Sequence, residues 1–271
     1  MEELIRMDGR KCDELRKMAC TLHVIKQADG SAQFEMGNTK VVASILGPQP
    51  CTNSSLKGSG HTVGSRIRHP NQPYVNLTVS WAPFAMGERR PRGRTDRFLV
   101  ELQNMLRQSV DSILSSAFDS DAPSSSAPGA SLSQRGGCPM EVQVKVLILQ
   151  ADGGVRPCCI NAISAALADA NMPMGDMVVA CGVTTSSNRL ILDANATEIT
   201  KSGCELSLAC EMHHPGRVVS CVLDARMTPE ELEEATDLAA LGCDAVGKFI
   251  RRTVLRHMHR IAVASGAFGM T

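Results

Sequence analysis

The sequence predicts a mixed α/β (α+β) fold in which strand-rich runs lead into helices. In the first half, several short runs of alternating apolar residues precede a helical pattern over residues 96–116. The second half repeats this order, since further strand signals precede a long helical pattern that begins after Thr228. No internal repeat is visible in the residues themselves, so the prediction depends on the order of the elements.

Size and composition favour a soluble globular chain without an overall charge. Its 271 residues, 43% of them apolar, are enough for a sizeable core. Lys and Arg together number 28, as do Asp and Glu, so any contact with nucleic acid must come from local clusters. The 11 cysteines form no Cys-x-x-Cys pair, which is typical of reduced thiols. No signal peptide is visible and no apolar run approaches the roughly 20 residues that span a bilayer. We therefore expect a cytosolic or nuclear protein with no membrane partner.

The chain begins with a predicted antiparallel meander. Strand signals cover residues 19–26, 31–36 and 40–46, and short polar turns separate them. A further strand of alternating type is predicted at residues 74–81.

Two basic segments follow the meander. The loop over residues 48–73 carries Arg66 and Arg68, and a loop of this length often has a function. Five arginines crowd the approach to the helix predicted from residue 96: Arg89, Arg90, Arg92, Arg94 and Arg97. Cations at a helix N-terminus oppose the macrodipole, so helix stability does not account for the cluster. Binding of a phosphate backbone explains it better, and a solvated turn is the alternative.

The central stretch has the local design of an anion site. A buried strand is predicted at residues 142–149, and a helical pattern covers residues 158–170. The turn between them carries Gly153, Gly154, Arg156 and Pro157. Glycines let the backbone approach a ligand, the first-turn amides point at it, and an arginine can fork onto a phosphate. Plain connectivity is the alternative for such a turn.

A predicted hairpin then returns the chain toward this turn. Its strands cover residues 177–181 and 190–193, and the second strand ends in the carboxylate of Asp193. We therefore expect Asp193 at the same end of the sheet as the glycine turn.

The remaining segments carry weaker functional signals. Residues 115–139 are rich in Ser, Ala, Pro and Gly, which predicts a flexible insertion. A second hairpin is predicted at residues 205–210 and 218–223, with His213 and His214 in its turn. Because no carboxylate or cysteine stands at ligand spacing, we interpret these histidines as an exposed turn and predict no metal site.

A long C-terminal helix is predicted from the capping box of Thr228 and Glu231 to about residue 264. Its first half is acidic and its second half is basic, with Lys248, Arg251, Arg252, Arg256 and Arg260. This polarity matches the helix macrodipole, so a solvent face is the favoured interpretation and RNA contact is the alternative.

Several short motifs, in order and spacing, resemble the ribonuclease PH family, and within it the exosome ring subunit whose archaeal counterpart carries the phosphorolytic site. The motifs are Asp8-Gly-Arg10, Asp13-Glu-Leu-Arg16, Ala28-Asp-Gly-Ser-Ala32, Glu35-Met-Gly-Asn-Thr-Lys40, Gly47-Pro48, Ala82-Pro-Phe84, Glu88-Arg89, Leu149-Gln-Ala-Asp-Gly-Gly154, Ala166-Leu-Ala-Asp-Ala170 and Met172-Pro-Met174. The resemblance covers residues 6–264.

The resemblance implies a single RNase PH-like domain over residues 1–271, with two pseudo-symmetric β-sheet-plus-helix halves of the ribosomal protein S5 domain 2-like type. It also implies paralogous partners in a six-membered ring, single-stranded RNA threaded through a pore, S1/KH cap proteins and an associated hydrolytic nuclease. The implied role is 3′-to-5′ RNA processing and degradation, including that of ribosomal RNA, in the nucleus, nucleolus and cytoplasm. No DNA partner is implied.

Active members of this family attack the last phosphodiester of RNA with inorganic phosphate, and three positions here depart from their pattern. Arg97 matches the first of an adjacent arginine pair, but the second position is Phe98. The phosphate turn keeps Arg156 but has Val155 in place of Ser or Thr. Of two aspartates six residues apart, Asp193 matches the first, and the second position is Ile199.

These departures predict a degenerate site. A missing hydroxyl costs about 1 kcal/mol, whereas a lost acid/base group costs about 10²–10⁴-fold in rate. If the segment is extended, Glu198 lies beside Ile199 on the opposite face and can substitute for the aspartate only through a bulge. We predict a subunit that binds RNA without catalysis, so that inorganic phosphate and Mg²⁺ are needed only if the site is active.

Two enzymatic alternatives remain. The first is a working phosphate-dependent 3′-to-5′ exoribonuclease. The second is a small-molecule phosphotransfer enzyme that uses the glycine turn for a nucleotide. The second lacks a GxxxxGK[ST] motif and leaves the clustered arginines unexplained.

Overall fold

The computed structural model describes residues 6, 8–50, 73–87, 96–118, 140–186, 189–214 and 216–266. Within them the chain forms two β-sheets with helices packed against both. The predicted mixed α/β class is confirmed. The extent predicted for a single domain stays a prediction.

The first sheet contains the predicted meander. Its strands are β1 (Met18–Leu22), β2 (Gly30–Met36), β3 (Thr39–Pro50), β4 (Tyr74–Trp81) and β5 (Met140–Gln150), in the order β1-β2-β3-β5-β4. Strands β1, β2 and β3 pair antiparallel, as predicted, and β4 pairs parallel to β5. Strand β1 ends at Leu22 rather than at residue 26, because His23 has a φ of 57° and turns the backbone out of the strand.

Helix α1 (Arg97–Phe118) connects β4 to β5, as a parallel pair of strands requires. It buries Leu102, Leu106, Val110 and Leu114, whose spacing of three to four residues is typical of one helix face. The helix runs into the segment from 115 that was predicted to be a flexible insertion. Ser and Ala are tolerated once a helix has started. The Ser- and Ala-rich composition therefore led to a predicted start of the insertion that is too early. Residues 119–139 lie outside the described residues.

The second sheet contains both predicted hairpins. Its strands are β6 (Val178–Ser186), β7 (Arg189–Leu192), β8 (Glu205–Glu211) and β9 (Val218–Asp224), in the order β7-β6-β8-β9, and all pairs are antiparallel. Helix α2 (Val155–Asp169) packs against β2 and β3 of the first sheet and β6 of the second. It is buried nearly all round, from Arg156 to Leu167, as a central helix must be. It begins three residues before the predicted start, so Arg156 belongs to its first turn.

Two further helices complete the second half. Helix α3 (Ala196–Ser202) follows β7, and helix α4 (Pro229–Ala264) ends the described chain. The predicted capping box of α4 is present, since Thr228 and Glu231 each accept a hydrogen bond from the other's backbone N–H. Among the described residues, no helix has the length and apolar character that a membrane span requires.

The second β-strand and the end of α2 meet at Gly30. A Cβ at this position would lie 2.3 Å from the backbone N of Ala170 and 2.6 Å from the carbonyl O of Ala166. Backbone atoms cannot give way as a flexible side chain can, so glycine sets the distance between helix and sheet.

We predict that Gly30→Ala lowers the free energy of unfolding by about 3 kcal/mol, because overpacking against backbone forces the helix off the sheet. Urea unfolding measures the change. Gly216→Ala is the matched control, since its Cβ would meet nothing within 4 Å and its φ is not positive. Equal stability of the two variants would contradict the prediction.

Candidate functional site

A cleft of about 380 Å³ lies at the N-terminus of α2. It is bounded by the end of β4, the start of α1, the glycine turn, α3 and the start of β8. The lining residues are Trp81, Met86, Asp96, Phe98, Ala151, Gly153, Gly154, Val155, Arg156, Ala196, Ile199, Thr200 and Glu205. The structure thus brings the predicted phosphate-binding turn and Ile199 to one cleft.

Both glycines of the turn are required by its geometry. Gly153 and Gly154 have φ values of 77° and 60°, in the left-handed region that favours glycine. A Cβ on Gly153 would lie 2.5 Å from the carbonyl O of Ala194, so the turn packs directly on the segment after β7. Gly154 is the N-cap of α2 and leaves the first-turn amides of that helix at the cleft.

The side chain of Arg156 lines the cleft and is paired within the protein, and its phosphate-binding role stays a prediction. It is only 6% exposed, its Nη1 donates to Glu205 Oε2 at 3.0 Å, and its Nη2 lies 3.6 Å from Glu101 Oε1. Its guanidinium carbon lies 5.2 Å from the centre of the Phe98 ring, and Phe98 in turn stacks on Trp81. The negative charge beside the Arg156 guanidinium therefore comes from Glu205 and Glu101 of the protein itself.

Glu205 is a cleft residue that the sequence reasoning missed. Burial raises the pKa of its carboxyl, as does the nearby charge of Asp224, while the charge of Arg156 opposes the rise. Nothing at the start of an alternating strand marks one glutamate as a partner for an arginine 49 positions away. The pairing becomes visible only when β8 is placed beside α2.

Asp193 lies next to the glycine turn, as expected, but its carboxylate has a structural partner. It is 2% exposed and accepts two hydrogen bonds from the Arg16 guanidinium, Nε at 3.0 Å and Nη2 at 2.7 Å. The backbone N of Arg16 donates a third at 2.9 Å. Arg16 also donates to the carbonyls of Asp152 at 2.6 Å and Gly153 at 3.2 Å. Asp193 does not line the cleft within the described residues.

The segment after Asp193 is helical, so the extended geometry considered for Glu198 and Ile199 is wrong. Asn195 and Glu198 form a capping box that starts α3, and Gly203 ends it with a φ of 63°. The side chain of Ile199 forms part of the cleft wall. The Asn-x-x-Glu spacing before a later glycine was readable in the sequence, and it is the signal that could have predicted this helix.

The Glu198 carboxylate accepts hydrogen bonds from Arg6 and from the N-terminal cap of α3. The Arg6 guanidinium donates to both carboxylate oxygens, at 2.9 and 2.6 Å, and the backbone N of Asn195 donates to Oε2 at 2.8 Å. The hydrogen bond from Arg6 lowers the pKa of Glu198 below its ordinary value, although burial opposes this. Both oxygens of the Glu198 carboxylate are therefore hydrogen-bonded within the protein.

Three arginines near the N-terminus hold the segment after β7, and sequence reasoning missed their role. Besides Arg16 and Arg6, Arg10 donates to the carbonyl of Asp193 at 3.1 Å. Arg6 also donates to the carbonyls of Leu192 and Asp193. No periodicity predicts these contacts, because Arg6 and residues 8–16 form no strand or helix of their own.

The remaining predicted site residues lie away from the contacts described above or outside the described residues. Arg97 is the exposed first residue of α1. Arg66, Arg68, Arg89, Arg90, Arg92 and Arg94 lie outside the described residues, so their RNA-binding role stays a prediction. His213 lies in an exposed turn and its Nδ1 is 2.7 Å from Asp176 Oδ1. Over the described part of the chain, no group of three or more His, Cys, Asp or Glu side chains could hold a metal ion.

Comparison with known proteins agrees with this architecture. The 3′ exoribonuclease family, domain 1 (RNase PH), matches residues 14–173. The chain belongs to this family. The exosome complex component RRP41 homolog of Arabidopsis thaliana is 33% identical over 253 residues, which are 93% of this chain and 92% of that protein. The human exosome complex component RRP41 is 32% identical over 262 residues, 96% and 95% of the two chains.

A solved RNase PH-type structure shows the same fold. The Archaeoglobus fulgidus exosome with RNA bound to the active site is 20% identical and superposes with a TM-score of 0.70, covering 90% of this chain and 92% of that one. The RNase PH-like fold expected from the sequence motifs is therefore confirmed, as is the resemblance to RRP41-type exosome components.

The Arg6–Glu198 pair makes a prediction for the pH dependence of stability. Because the folded pKa of Glu198 is depressed, its contribution is present above the unfolded pKa of about 4.3 and is lost as pH falls through the folded value. We expect Glu198→Gln to lower the free energy of unfolding by about 2 kcal/mol at pH 7. The difference from the parent chain should shrink below about pH 4.

Urea unfolding between pH 3 and pH 7 measures this difference. Glu233→Gln, on the exposed surface of α4, is the control and should change stability by less than about 0.5 kcal/mol. A Glu198→Gln deficit that stays constant down to pH 3 would show that the ion pair is not its source.

Proposed function

We propose that this chain is an RNA-binding subunit of an RNA exosome ring, acting in 3′-to-5′ RNA processing and degradation, including that of ribosomal RNA, without phosphorolysis of its own. The partners would be paralogous RNase PH-like subunits in a six-membered ring, S1/KH cap proteins and a hydrolytic nuclease. The proposed location is the nucleus, with the nucleolus, and the cytoplasm.

The exosome assignment is supported by relatives that match nearly end to end. Both RRP41 proteins are described as exosome complex components, and more than nine-tenths of each chain is aligned. The archaeal structure of the same fold has RNA bound to its active site. The cleft described above includes Ala151, Gly153 and Gly154 of the motif Leu149-Gln-Ala-Asp-Gly-Gly154.

One observation supports the absence of catalysis above all others. Both carboxylates near the expected acid/base position serve the fold, since Asp193 is paired with Arg16 and Glu198 with Arg6. The side chains that α3 presents to the cleft are those of Ala196, Ile199 and Thr200, and the position expected for the second aspartate is the aliphatic Ile199. An aliphatic group cannot transfer a proton, and the loss of such a group costs about 10²–10⁴-fold in rate.

A need for Mg²⁺ belongs to the active alternative alone. Among the described residues no three His, Cys, Asp or Glu side chains cluster as metal ligands, and we derive no catalytic step through Mg²⁺.

A second candidate function, active phosphate-dependent exoribonucleolysis, has one observation in its favour. Glu205 lines the cleft and its pKa is raised by burial, which is a property of many general acids and bases. Its carboxylate is nonetheless 3.0 Å from Arg156, the side chain expected to hold the attacking phosphate. The same pair would have to separate before either residue could act.

We predict that the chain, alone and assembled with purified ring partners, releases no nucleoside diphosphates from a labelled single-stranded RNA in the presence of inorganic phosphate. The physical reason is the missing acid/base group at position 199. Thin-layer chromatography of the products measures the release. Phosphate-dependent release by the parent chain that is abolished by Asp193→Ala or Glu205→Gln would establish the enzymatic alternative.

A gain-of-function variant sharpens the same test. The triple change Phe98→Arg, Val155→Ser and Ile199→Asp restores the three residue types found in active members. It should release nucleoside diphosphates at least about 10²-fold faster than the parent chain. The matched control carries Ile199→Asn in place of Ile199→Asp, which keeps the shape but not the charge, and should stay inactive.

We further predict that Arg92→Ala, Arg94→Ala and Arg97→Ala together weaken binding of single-stranded RNA of any sequence. Each lost phosphate contact should reduce the salt slope of log K by about 0.7, so the three should reduce it by about 2. Fluorescence anisotropy at several salt concentrations measures the slope. An unchanged slope would exclude the cluster from the RNA path.

A further inference from the structure

Helix α4 carries an exposed basic surface that the proposed cleft does not use. The α4 basic face consists of Lys248, Arg251, Arg252, Arg256 and Arg260, with Leu255 and His259 among them. All lie at spacings of three or four along one side of the helix, and a shallow groove of about 690 Å³ runs along them. The lysine and the four arginines are exposed.

The macrodipole does not explain this face, although the sequence pattern favoured that explanation. The effect of the dipole falls off within the last turn of a helix. The last turn of α4 contains no basic residue, and the basic face extends back for three turns from Arg260. Most of these charges are therefore too far from the C-terminus to stabilise the helix in this way.

The arrangement of the charges works against the helix. Lys248, Arg252, Arg256 and Arg260 follow one another at intervals of four residues, and like charges at that interval destabilise a helix. Over the described ranges, Lys248 is the one lysine or arginine of this face with a carboxylate partner, Asp244 at 2.6 Å. The four arginines are exposed and have no carboxylate partner within the part of the chain that the structure describes, which indicates an external anion.

The chemistry of the face favours a polymer of phosphates over an acidic protein. Arginine forks match phosphate oxygens, and four of the five cations are arginines. The four-residue ladder repeats about every 6 Å along the axis, so its charges are presented in a line, as the phosphates of an extended strand are. A protein interface needs an apolar centre, and the groove offers Leu255 alone, 60% exposed.

We propose that the α4 basic face is a second RNA contact, which holds the backbone of a single strand without reading its sequence. The inference rests on the proposed function, since it assumes that the chain meets RNA. It adds a surface on the C-terminal helix to the predicted arginine cluster before α1. Its ligand is the phosphate backbone.

The test compares the full chain with the triple variant Arg252→Gln, Arg256→Gln and Arg260→Gln. Glutamine has a helix propensity close to that of arginine, so α4 should stay folded. Binding of a labelled single-stranded RNA is measured between 50 and 200 mM salt. Loss of three phosphate contacts should reduce the salt slope of log K by about 2.

The matched control carries the same charge change elsewhere, as Lys17→Gln, Lys26→Gln and Lys145→Gln. These three lysines are exposed and belong to the other sheet or its turns. The control should keep the slope of the parent chain. Equal slopes for the two triple variants would overturn the proposal, because net charge alone would then account for the loss.

Two other outcomes separate this inference from the proposed function. If the parent chain binds RNA and the α4 variant binds it with an unchanged slope but no longer assembles with ring partners, the face contacts protein and the inference fails alone. If the parent chain binds no RNA at any salt concentration, the proposed function fails with it. The same measurement can be made with a DNA strand of the same length. An equal difference in salt slope between the parent chain and the α4 variant would support contact with the phosphate backbone alone.

Discussion

The buried ion pair between Arg16 and Asp193 holds the cleft together. Three hydrogen bonds join the two residues, and the same guanidinium reaches the carbonyls of Asp152 and Gly153. The pair thus ties together the N-terminal segment, the glycine turn and the end of β7. Because a buried charge that loses its partner costs about 3–5 kcal/mol, none of the three segments can move without the others.

The same kind of pairing recurs around the cleft. The Asp193 carboxylate accepts three hydrogen bonds from a buried arginine and in this way stabilises the fold. Glu198 is held in the same way by Arg6, and Arg156 by Glu205. These charged groups are therefore paired inside the protein, and α3 lines the cleft with Ala196, Ile199 and Thr200.

The distribution of charge shows how a chain with equal numbers of acidic and basic residues can present a basic surface. The interior charges are paired, so they contribute little to the external field. Among the described residues, a run of exposed positive charges lies on the C-terminal half of α4, whose first half is acidic. Local segregation along one helix creates a basic surface that net charge alone does not reveal.

The sequence by itself determined the element types, most of their order and the family, because periodicity, turn residues and helix caps act over a few neighbouring residues. The four strands of the second sheet, the capping box at Thr228 and the glycine turn at Gly153 were all predictable in this way. Only the tertiary structure decided which charged groups are free, since Arg6 pairs with a residue 192 positions away and Arg16 with one 177 positions away. Such partners are brought together by the packing of the two sheets around α2, and no local pattern encodes that choice.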